Sequence, residues 1–343
     1  MDKPIYHLPH TLRNWPWGQS VAWLESFHPF FPQVQHVFNK CDFSLLSALT
    51  FPKASLYDLR SCCDLMHTFF TLDEYTDLRG PSDVKTLCDA TMDAIENPDK
   101  PRPEGENIIG EIARQFWRRA SVDVPRPCQE RFVNSWRTYL DSVVEQAERR
   151  SKSYICTMNE YLAARRNNIG SEPSFVFLEI SLQLDLPHEV MEHPLIVALN
   201  ATPPTCSSCP TYDMCSYKKE VLANDAAYNA VTVVMVNEHT DIAGGIQWIS
   251  DYHDEIVERF LRVREDVINQ NGFPSWGTDI DDQVAKYIDG LGNVTSLPSH
   301  RVAYSLWYIG QWIRGHDEWN FGSGRYFGDR GLEVQKTRVV AIV

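Results

Sequence analysis

The sequence has 343 residues, with 32 Lys and Arg against 46 Asp and Glu, giving a formal net charge of −14. That charge argues against nonspecific binding to nucleic acid or to a membrane surface, and no apolar run reaches the roughly 20 residues of a membrane-spanning helix. Nine Cys at irregular spacing favour reduced thiols in the cytoplasm over a disulfide framework.

Helical periodicity dominates between about residues 54 and 265 and predicts an all-α fold. The clearest amphipathic stretches are 54–78, 105–120, 126–150, 173–183, 187–200 and 240–270. No alternation typical of strands persists, and a βαβ rhythm is absent. We therefore expect one domain over residues 1–343, a helical bundle whose site lies in its middle, with the first fifty residues packed over it.

The first candidate site residues form an acidic cluster after the apolar run 67–72. On a helix, Asp73 and Asp77 lie one turn apart and project from one face, with Phe69 and Phe70 a turn earlier. Two carboxylates at the lip of an aromatic-lined cavity suit divalent cations that hold an anionic leaving group. A solvated acidic helix end would explain this motif equally well by itself.

An Arg pair followed by a helix-breaking Gly spans residues 165–170. A guanidinium there, at Arg165 or Arg166, could make forked hydrogen bonds to phosphate oxygens. Such cations would supply the local positive charge that a polyanionic substrate needs in a chain of this net charge. The alternative is a solvated basic helix end.

A third segment, residues 212–220, places Tyr212, Ser216 and Glu220 four apart on one helical face. Ser216 and Glu220 could jointly ligate a cation through oxygen, and Lys219 is close enough to touch an anion. Taken alone, the pattern is also common on surface helices.

The fourth segment is Trp-Asn-Phe-Gly-Ser-Gly-Arg-Tyr-Phe-Gly at 319–328. Arg325 and Tyr326 offer one charged and one neutral donor suited to a diphosphate. The ring of Trp319 could face a carbocation. A structured C-terminal turn is the simpler alternative.

Together these segments resemble the class I terpene synthases, most closely the sesquiterpene synthases of basidiomycete fungi, from about residue 50 to the end of the chain. Four motifs carry the resemblance in the family's order: the aspartate-rich motif at Asp73, Glu74 and Asp77; the diphosphate-sensing Arg166 with the effector Gly170; the NSE motif at Ser216 and Glu220 with Lys219; and the RY pair Arg325 and Tyr326.

The resemblance implies a single-domain class I terpenoid synthase bundle with a central cavity. It also implies a Mg²⁺-dependent lyase that ionises farnesyl diphosphate, cyclises it to a sesquiterpene and releases diphosphate. The expected partner is thus a small allylic diphosphate, with neither nucleic acid nor membrane involved. Three Mg²⁺ ions are expected as cofactors.

The resemblance also assigns roles to single residues. The expected metal ligands are Asp73, Asp77, Ser216 and Glu220. Catalytic roles are expected for Asp73, Arg166 and Gly170. The expected substrate-binding residues are Arg166, Lys219, Arg325 and Tyr326 for the diphosphate, and Phe69, Phe70 and Trp319 for the aromatic wall.

The chain departs from the family at Tyr212, where the family has the first Asn of the NSE motif. A phenol is bulkier than an amide and ligates Mg²⁺ poorly at neutral pH. The preceding residues 202–211 are rich in Pro, Ser and Thr, which should break a helix. A frameshift or mis-joined exon just upstream of Asp213 is one hypothesis, because another reading frame there can encode an apolar helix ending in Asn.

A second anomaly, at 294–310, separates residues 290–293 from 311–315, which the family joins closely. A retained short intron and a genuine lid insertion both explain it. Two rival functions also stay open. One is an inert or catalytically impaired family member. The other is a chain-elongating prenyltransferase, which normally has a second DDxxD motif that residues 279–282 do not supply.

Overall fold

The computed structural model describes residues 16–77, 79–152, 154–203, 209–291 and 318–337, and these ranges contain helices and no strand. The predicted all-α fold is therefore confirmed. The helices of the first half are α1 Pro16–Ser26, α2 Pro32–Lys40, α3 Phe43–Thr50, α4 Leu56–Thr76, α5 Pro81–Glu96, α6 Ile108–Ala120, α7 Arg126–Ser151 and α8 Met158–Asn168. The later ones are α9 Ser171–Ser181, α10 His188–Met191, α11 Pro194–Pro203, α12 Cys209–Leu222, α13 Ala230–Asn237, α14 Ile242–Ile268 and α15 Thr278–Leu291, followed by a helical segment at 318–322 and a last helix at Gly331–Thr337.

Short polar side chains fix where several helices begin. Ser55 caps α4 by accepting from the Asp58 amide, and Asp241 caps α14 by accepting from the Gly244 amide. At α8, Thr157 and Glu160 form a complete capping box. Each cap satisfies amides that have no partner inside the helix, so the sequence sets these boundaries locally.

The core is dominated by aromatic rings that α4, α6, α7 and α9 bring together. Trp136 on α7 stacks on Phe69 of α4 at 5.0 Å between centroids, and Phe132 stacks on Trp117 of α6 at 4.2 Å. α4 also packs against α1 and α3, so helices from the first fifty residues cover its outer side. A smaller apolar cluster joins α8, α12, α13 and α14. None of the described helices has both the length and the apolar character for crossing a membrane.

The sequence periodicity located the three longest helices and missed α5 and several shorter ones. Stretches predicted at 54–78, 126–150 and 240–270 match α4, α7 and α14 closely, whereas 187–200 divides into α10 and α11. α13 was missed because its sequence, Ala-Val-Thr-Val-Val-Met-Val-Asn, is rich in β-branched residues; packing against α14 and α8 overrides that propensity. The anomalous segment 294–310 and residues 204–208 lie outside the described residues, so the hypotheses about them stay predictions.

Candidate active site

A cavity of about 280 Å³ opens among α3, α4, α7, α8, α9, α12 and the 318–337 segment. Most of the residues predicted from the sequence converge on it. Those that line it are Phe69, Phe70, Asp73, Glu74, Asp77, Tyr212, Ser216, Lys219, Glu220, Arg325 and Tyr326. Three predicted residues, Arg166, Gly170 and Trp319, are not among its lining residues.

The C-terminal end of α4 forms one wall of the cavity. The Asp77 amide donates to the Asp73 carbonyl at 2.9 Å, so the two carboxylates are one helical turn apart. Arg325 reaches this wall from the other end of the chain: its Nη2 is 3.2 Å from Asp73 Oδ2, and its Nη1 is 2.7 Å from Glu74 Oε1. The guanidinium therefore already balances part of the negative charge of this wall.

Charge crowding on the α4 wall shows in the titration of Asp77. Burial, and then the neighbouring Asp73 carboxylate, raise the pKa of Asp77 to about 8, while the Lys219 and Arg325 cations oppose the shift. A cation placed beside these carboxylates would stabilise their ionised forms.

Residues of α12 form the facing wall. The Ser216 hydroxyl donates to the Asp213 carbonyl at 3.3 Å, and Glu220 Oε2 accepts from the Asn229 side-chain amide at 2.9 Å. Burial, and then the negative charge of Asp213, raise the pKa of Glu220 to about 7. Hydrogen bonds from Ser216 and Asn229 act in the opposite direction.

Asp213 is the centre of a buried polar network that sequence reasoning did not identify. Its carboxylate accepts from the Tyr161 hydroxyl, from Arg165 Nη2 at 2.7 Å and from the Ala230 amide at 2.8 Å. The network joins α8, α12 and the start of α13. Helical phase could have revealed it, because positions 213, 216 and 220 share one face of a helix.

Arg166 does not line the cavity in this structure, so its predicted contact with the diphosphate stays a prediction. Arg166 is exposed, and the guanidinium of the preceding Arg165 lies at the cavity instead. Tyr161 and Arg165 are four residues apart on α8 and therefore share the face that meets Asp213, whereas the next residue is rotated by about 100°. Arg165 also donates to Asn168 at 2.8 Å.

Gly170 lies at the break between α8 and α9, behind the cavity wall. Its φ of 72° is in the left-handed region, and an added Cβ would lie 3.1 Å from the ring of Phe69. The backbone conformation therefore favours glycine here, and any side chain would also require the Phe69 ring to shift. The Ser174 hydroxyl, which lines the cavity, donates to the Gly170 carbonyl at 2.8 Å.

Trp319 does not form part of the aromatic wall, contrary to expectation. It is fully buried, and its indole N–H donates to the carbonyls of Cys41 at 2.7 Å and Asp42 at 3.1 Å. A buried indole needs such a partner, which fixes its position behind the lining residues. Its ring supports Phe70 and Tyr326 from behind, with centroids 5.6 and 5.9 Å away.

Aromatic side chains nevertheless line much of the cavity. Phe69 and Phe70 line it as predicted, and they are joined by Tyr139 of α7, which was not predicted. Tyr139 meets Phe69 edge to face at 5.0 Å. Apolar side chains of Leu46, Met66 and Val143 continue this surface.

Tyr212, in the place of the expected Asn, also lines the cavity. Its ring meets Tyr326 edge to face at 5.4 Å, and the Arg165 guanidinium lies 5.9 Å from the ring centroid. Burial raises the pKa of Tyr212 to about 12. Because the phenol is neutral at physiological pH, it provides no anionic oxygen for a metal ion.

The donor atoms fit a hard cation such as Mg²⁺. Among the residues described by the structure, no group of three or more His, Cys, Asp or Glu side chains is close enough to hold a metal ion alone. Oxygen donors instead face the cavity from two walls, Asp73 and Asp77 on one and Ser216 and Glu220 on the other. Mg²⁺ characteristically takes one or two protein carboxylates and completes its shell with substrate phosphates and water.

The acidic residues at 279–282 do not contribute to the cavity. They belong to the first turn of α15, where Asp281 accepts from the Trp276 amide at 3.0 Å and from the Ser275 hydroxyl. This arrangement is a local cap, so the described part of the chain has no second acidic motif facing the first across the cavity.

Comparison with known proteins places these observations in a family. The family model described as terpene synthase family 2, C-terminal metal binding, matches residues 64–259. A Δ6-protoilludene synthase of Stereum hirsutum is 40% identical, with all of this chain aligned to 89% of that protein. A Δ6-protoilludene synthase of Armillaria gallica is 39% identical, with all of this chain aligned to 95% of it.

Solved structures share the fold at much lower sequence identity. Linalool/nerolidol synthase from Streptomyces clavuligerus, in complex with 2-fluorogeranyl diphosphate, superposes with a TM-score of 0.74 at 16% identity. The match covers 89% of this chain and 97% of that one.

Proposed function

We propose that this chain, which belongs to the terpene synthase family, ionises farnesyl diphosphate with the help of Mg²⁺ and cyclises it to a sesquiterpene, releasing diphosphate. The observation that carries the proposal is the convergence of carboxylates from α4 and α12, with Lys219 and Arg325, on one cavity that also has an aromatic lining. The names of its fungal relatives, sesquiterpene synthases, support the choice of substrate.

In the proposed mechanism, Asp73 and Asp77 hold metal on the α4 wall and Ser216 and Glu220 hold it on the α12 wall. Three Mg²⁺ ions, when bound, supply positive charge that neutralises the leaving diphosphate. These residues line opposite walls of one cavity, so the diphosphate would bind between them. Burial is the main cause of the raised pKa values of Asp77 and Glu220, and a bound cation would oppose that shift by favouring the ionised carboxylates.

Lys219, Arg325 and Tyr326 bind the diphosphate in this proposal, since all three line the cavity. Arg325, whose guanidinium contacts Asp73 and Glu74 in this structure, would provide donors to the diphosphate. The predicted contact from Arg166 requires its exposed side chain to turn inward on binding. The break at Gly170 provides a place where the end of α8 can adjust.

The aromatic surface then handles the allylic cation left after the C–O bond breaks. The π faces of Phe69 and Phe70 stabilise positive charge without donating a nucleophile. The cavity of about 280 Å³ that these rings help to line also folds the prenyl chain and limits the access of water that would quench the cation.

A cytoplasmic location is part of the same proposal. Several buried cysteines have free thiols: Cys41, Cys62, Cys63, Cys88, Cys128 and Cys156. Buried unpaired thiols suit a reducing compartment.

Incubation of the purified protein with farnesyl diphosphate and Mg²⁺, followed by gas chromatography with mass spectrometry, tests the proposal. A cyclic sesquiterpene supports it. A longer diphosphate formed when isopentenyl diphosphate is added would establish the prenyltransferase instead. Absence of product with wild type and with Tyr212→Asn would establish the inert protein, whereas activity regained only by Tyr212→Asn would identify that position as the defect.

A further inference from the structure

Asn229, just before α13, contacts the face of α12 that carries the proposed metal ligands Ser216 and Glu220. Its Nδ2 is 2.9 Å from Glu220 Oε2, 3.4 Å from Ser216 Oγ and 2.8 Å from the Asp213 carbonyl. The residue is completely buried, and it is not among the residues that line the cavity. One amide therefore touches both proposed metal ligands of this wall without itself meeting the cavity.

The other end of the same side chain is fixed independently. Asn229 Oδ1 accepts from the Val231 amide at 2.9 Å and so caps α13. Because the oxygen is committed to the helix, the NH₂ group must face α12, and the amide orientation is determined. This gives the donor a rigid base on a helix whose Val231, Val233 and Val234 are fully buried.

The environment of Ser216 and Glu220 makes such a donor important. Tyr212, one turn before Ser216, offers a neutral phenol in place of an amide ligand. The metal on this wall would therefore depend on two protein oxygens rather than three. With fewer ligands, the orientation of each one has a larger effect on affinity.

We infer that Asn229 is a positioning residue that orients Glu220 and Ser216 for metal binding on the α12 wall. This inference depends on the proposed function, because it assumes that these oxygens bind Mg²⁺. Asn229 holds Glu220 Oε2 through its amide hydrogen and so restrains the orientation of the carboxylate. It does not touch the substrate or the metal.

The test separates this role from simple capping of α13. Asn229→Ser keeps a good N-cap but is too short to reach Glu220. The matched control is Asn237→Ser at the other end of the same helix, where the amide donates to the carbonyls of Val233 at 2.8 Å and Cys156 at 3.1 Å. Mn²⁺ affinity is measured by electron paramagnetic resonance in the presence of inorganic diphosphate, beside the thermal midpoint of the metal-free protein.

We expect Asn229→Ser to bind Mn²⁺ about 10–100-fold more weakly than wild type, the range typical for residues that orient metal ligands. Asn237→Ser should bind it as wild type does, whatever its thermal midpoint. Unchanged Mn²⁺ affinity in folded Asn229→Ser would overturn the inference and leave only the cap. If wild type itself binds no Mn²⁺ with diphosphate, the proposed function fails instead, so the two failures are distinguishable.

Two further variants keep the test decisive. If Asn229→Ser does not fold, Asn229→Thr replaces it, since Thr also caps a helix and fills more of the buried volume. In a Glu220→Gln background, which lacks the carboxylate that Asn229 orients, the Asn229 substitution should weaken Mn²⁺ binding less than it does in wild type. An equal weakening in both backgrounds would show that Asn229 does not act through Glu220.

Discussion

The two walls of the cavity present similar oxygen donors but hold them in different ways. On the α12 wall, Arg165 of α8 binds Asp213, and Asn229, the N-cap of α13, contacts the Asp213 carbonyl, Ser216 and Glu220. On the α4 wall, the charged partner of Asp73 and Glu74 is Arg325, which lies 252 positions further along the chain from Asp73. The side chains of the α12 wall are therefore held by neighbouring packed elements, whereas those of the α4 wall depend on the position of the C-terminal segment.

The largest loss of stability should follow from a substitution at Asp213 on the α12 wall. In Asp213→Asn, the Arg165 side chain, only 12% exposed, loses its charged partner. Removing one member of a buried ion pair costs about 3–5 kcal/mol, so urea unfolding should show a loss of that size. Asp251→Asn is the control, since Asp251 on α14 is exposed and accepts a hydrogen bond from the Gln247 side-chain amide. Equal losses in the two variants would remove the distinction between the walls.

Helix α4, which forms the other wall, should lose stability as the pH falls. His67, two turns before Asp73, is buried and lies 2.8 Å from the Ser20 hydroxyl, and burial followed by the Arg60 charge lowers its pKa to about 3. Because the unfolded chain takes up this proton near pH 6.5 and the folded chain does not, stability is lost as the pH falls below that value. The expected loss is about 2 kcal/mol between pH 6.5 and pH 5.

Urea unfolding at both pH values checks this expectation in wild type, in His67→Asn and in His36→Asn, whose histidine is exposed. The loss should shrink only in His67→Asn. Burial raises the pKa of Asp64, which shifts stability in the opposite sense, but that carboxyl is present in all three proteins. The same pH dependence in all three would refute the assignment to His67.

Trp319→Phe tests how the C-terminal segment is anchored to the α4 wall. The variant keeps an aromatic ring but leaves the Cys41 carbonyl without its indole donor, a change worth about 1–2 kcal/mol in urea unfolding. The spectrum of terpene products should not change, because Trp319 does not line the cavity. Phe70→Leu, which alters the lining, should change it. A new product profile from Trp319→Phe would show that the Trp319 ring does contribute to the aromatic wall.

The smallest effect is expected at Glu74. Its ion pair with Arg325 is partly exposed, with 32% of the Glu74 side chain accessible, and Glu74→Gln should cost less than about 1 kcal/mol. Urea unfolding at low and high salt measures it, and the difference from wild type should vanish as salt is added. A loss as large as that of Asp213→Asn would show that both walls are equally rigid.

Much of the site could be predicted from the sequence because its residues belong to local patterns. Asp73 and Asp77, or Ser216 and Glu220, share a helix face by spacing alone. Their convergence on one cavity followed only from the family resemblance, since helix spacing says nothing about which distant faces meet. The fold class was likewise accessible from long periodic stretches such as α4, α7 and α14.

The misses have physical causes that spacing does not reveal. Arg165 and Arg166 are indistinguishable by composition, and only the partner at Asp213 decides which one turns inward. The ring of Trp319 is suited to stabilising a cation, but its indole N–H donates to the Cys41 carbonyl, and this bond fixes the ring behind the lining residues. Asn229 lay outside every motif, because its role depends on a contact between two helices that are joined by a 3-10 turn.

The close approach of Gly170 to Phe69 has a consequence for redesigning the pocket. A methyl group at position 170 would meet the ring at 3.1–3.2 Å, so the Phe69 ring, which lines the cavity, would have to move, and the contour of the cavity would change with it. Position 170 thus affects the shape of the cavity through Phe69, although it is not itself a lining residue. Libraries that aim at new products would therefore do well to vary Tyr139 and Val143 while leaving this glycine in place.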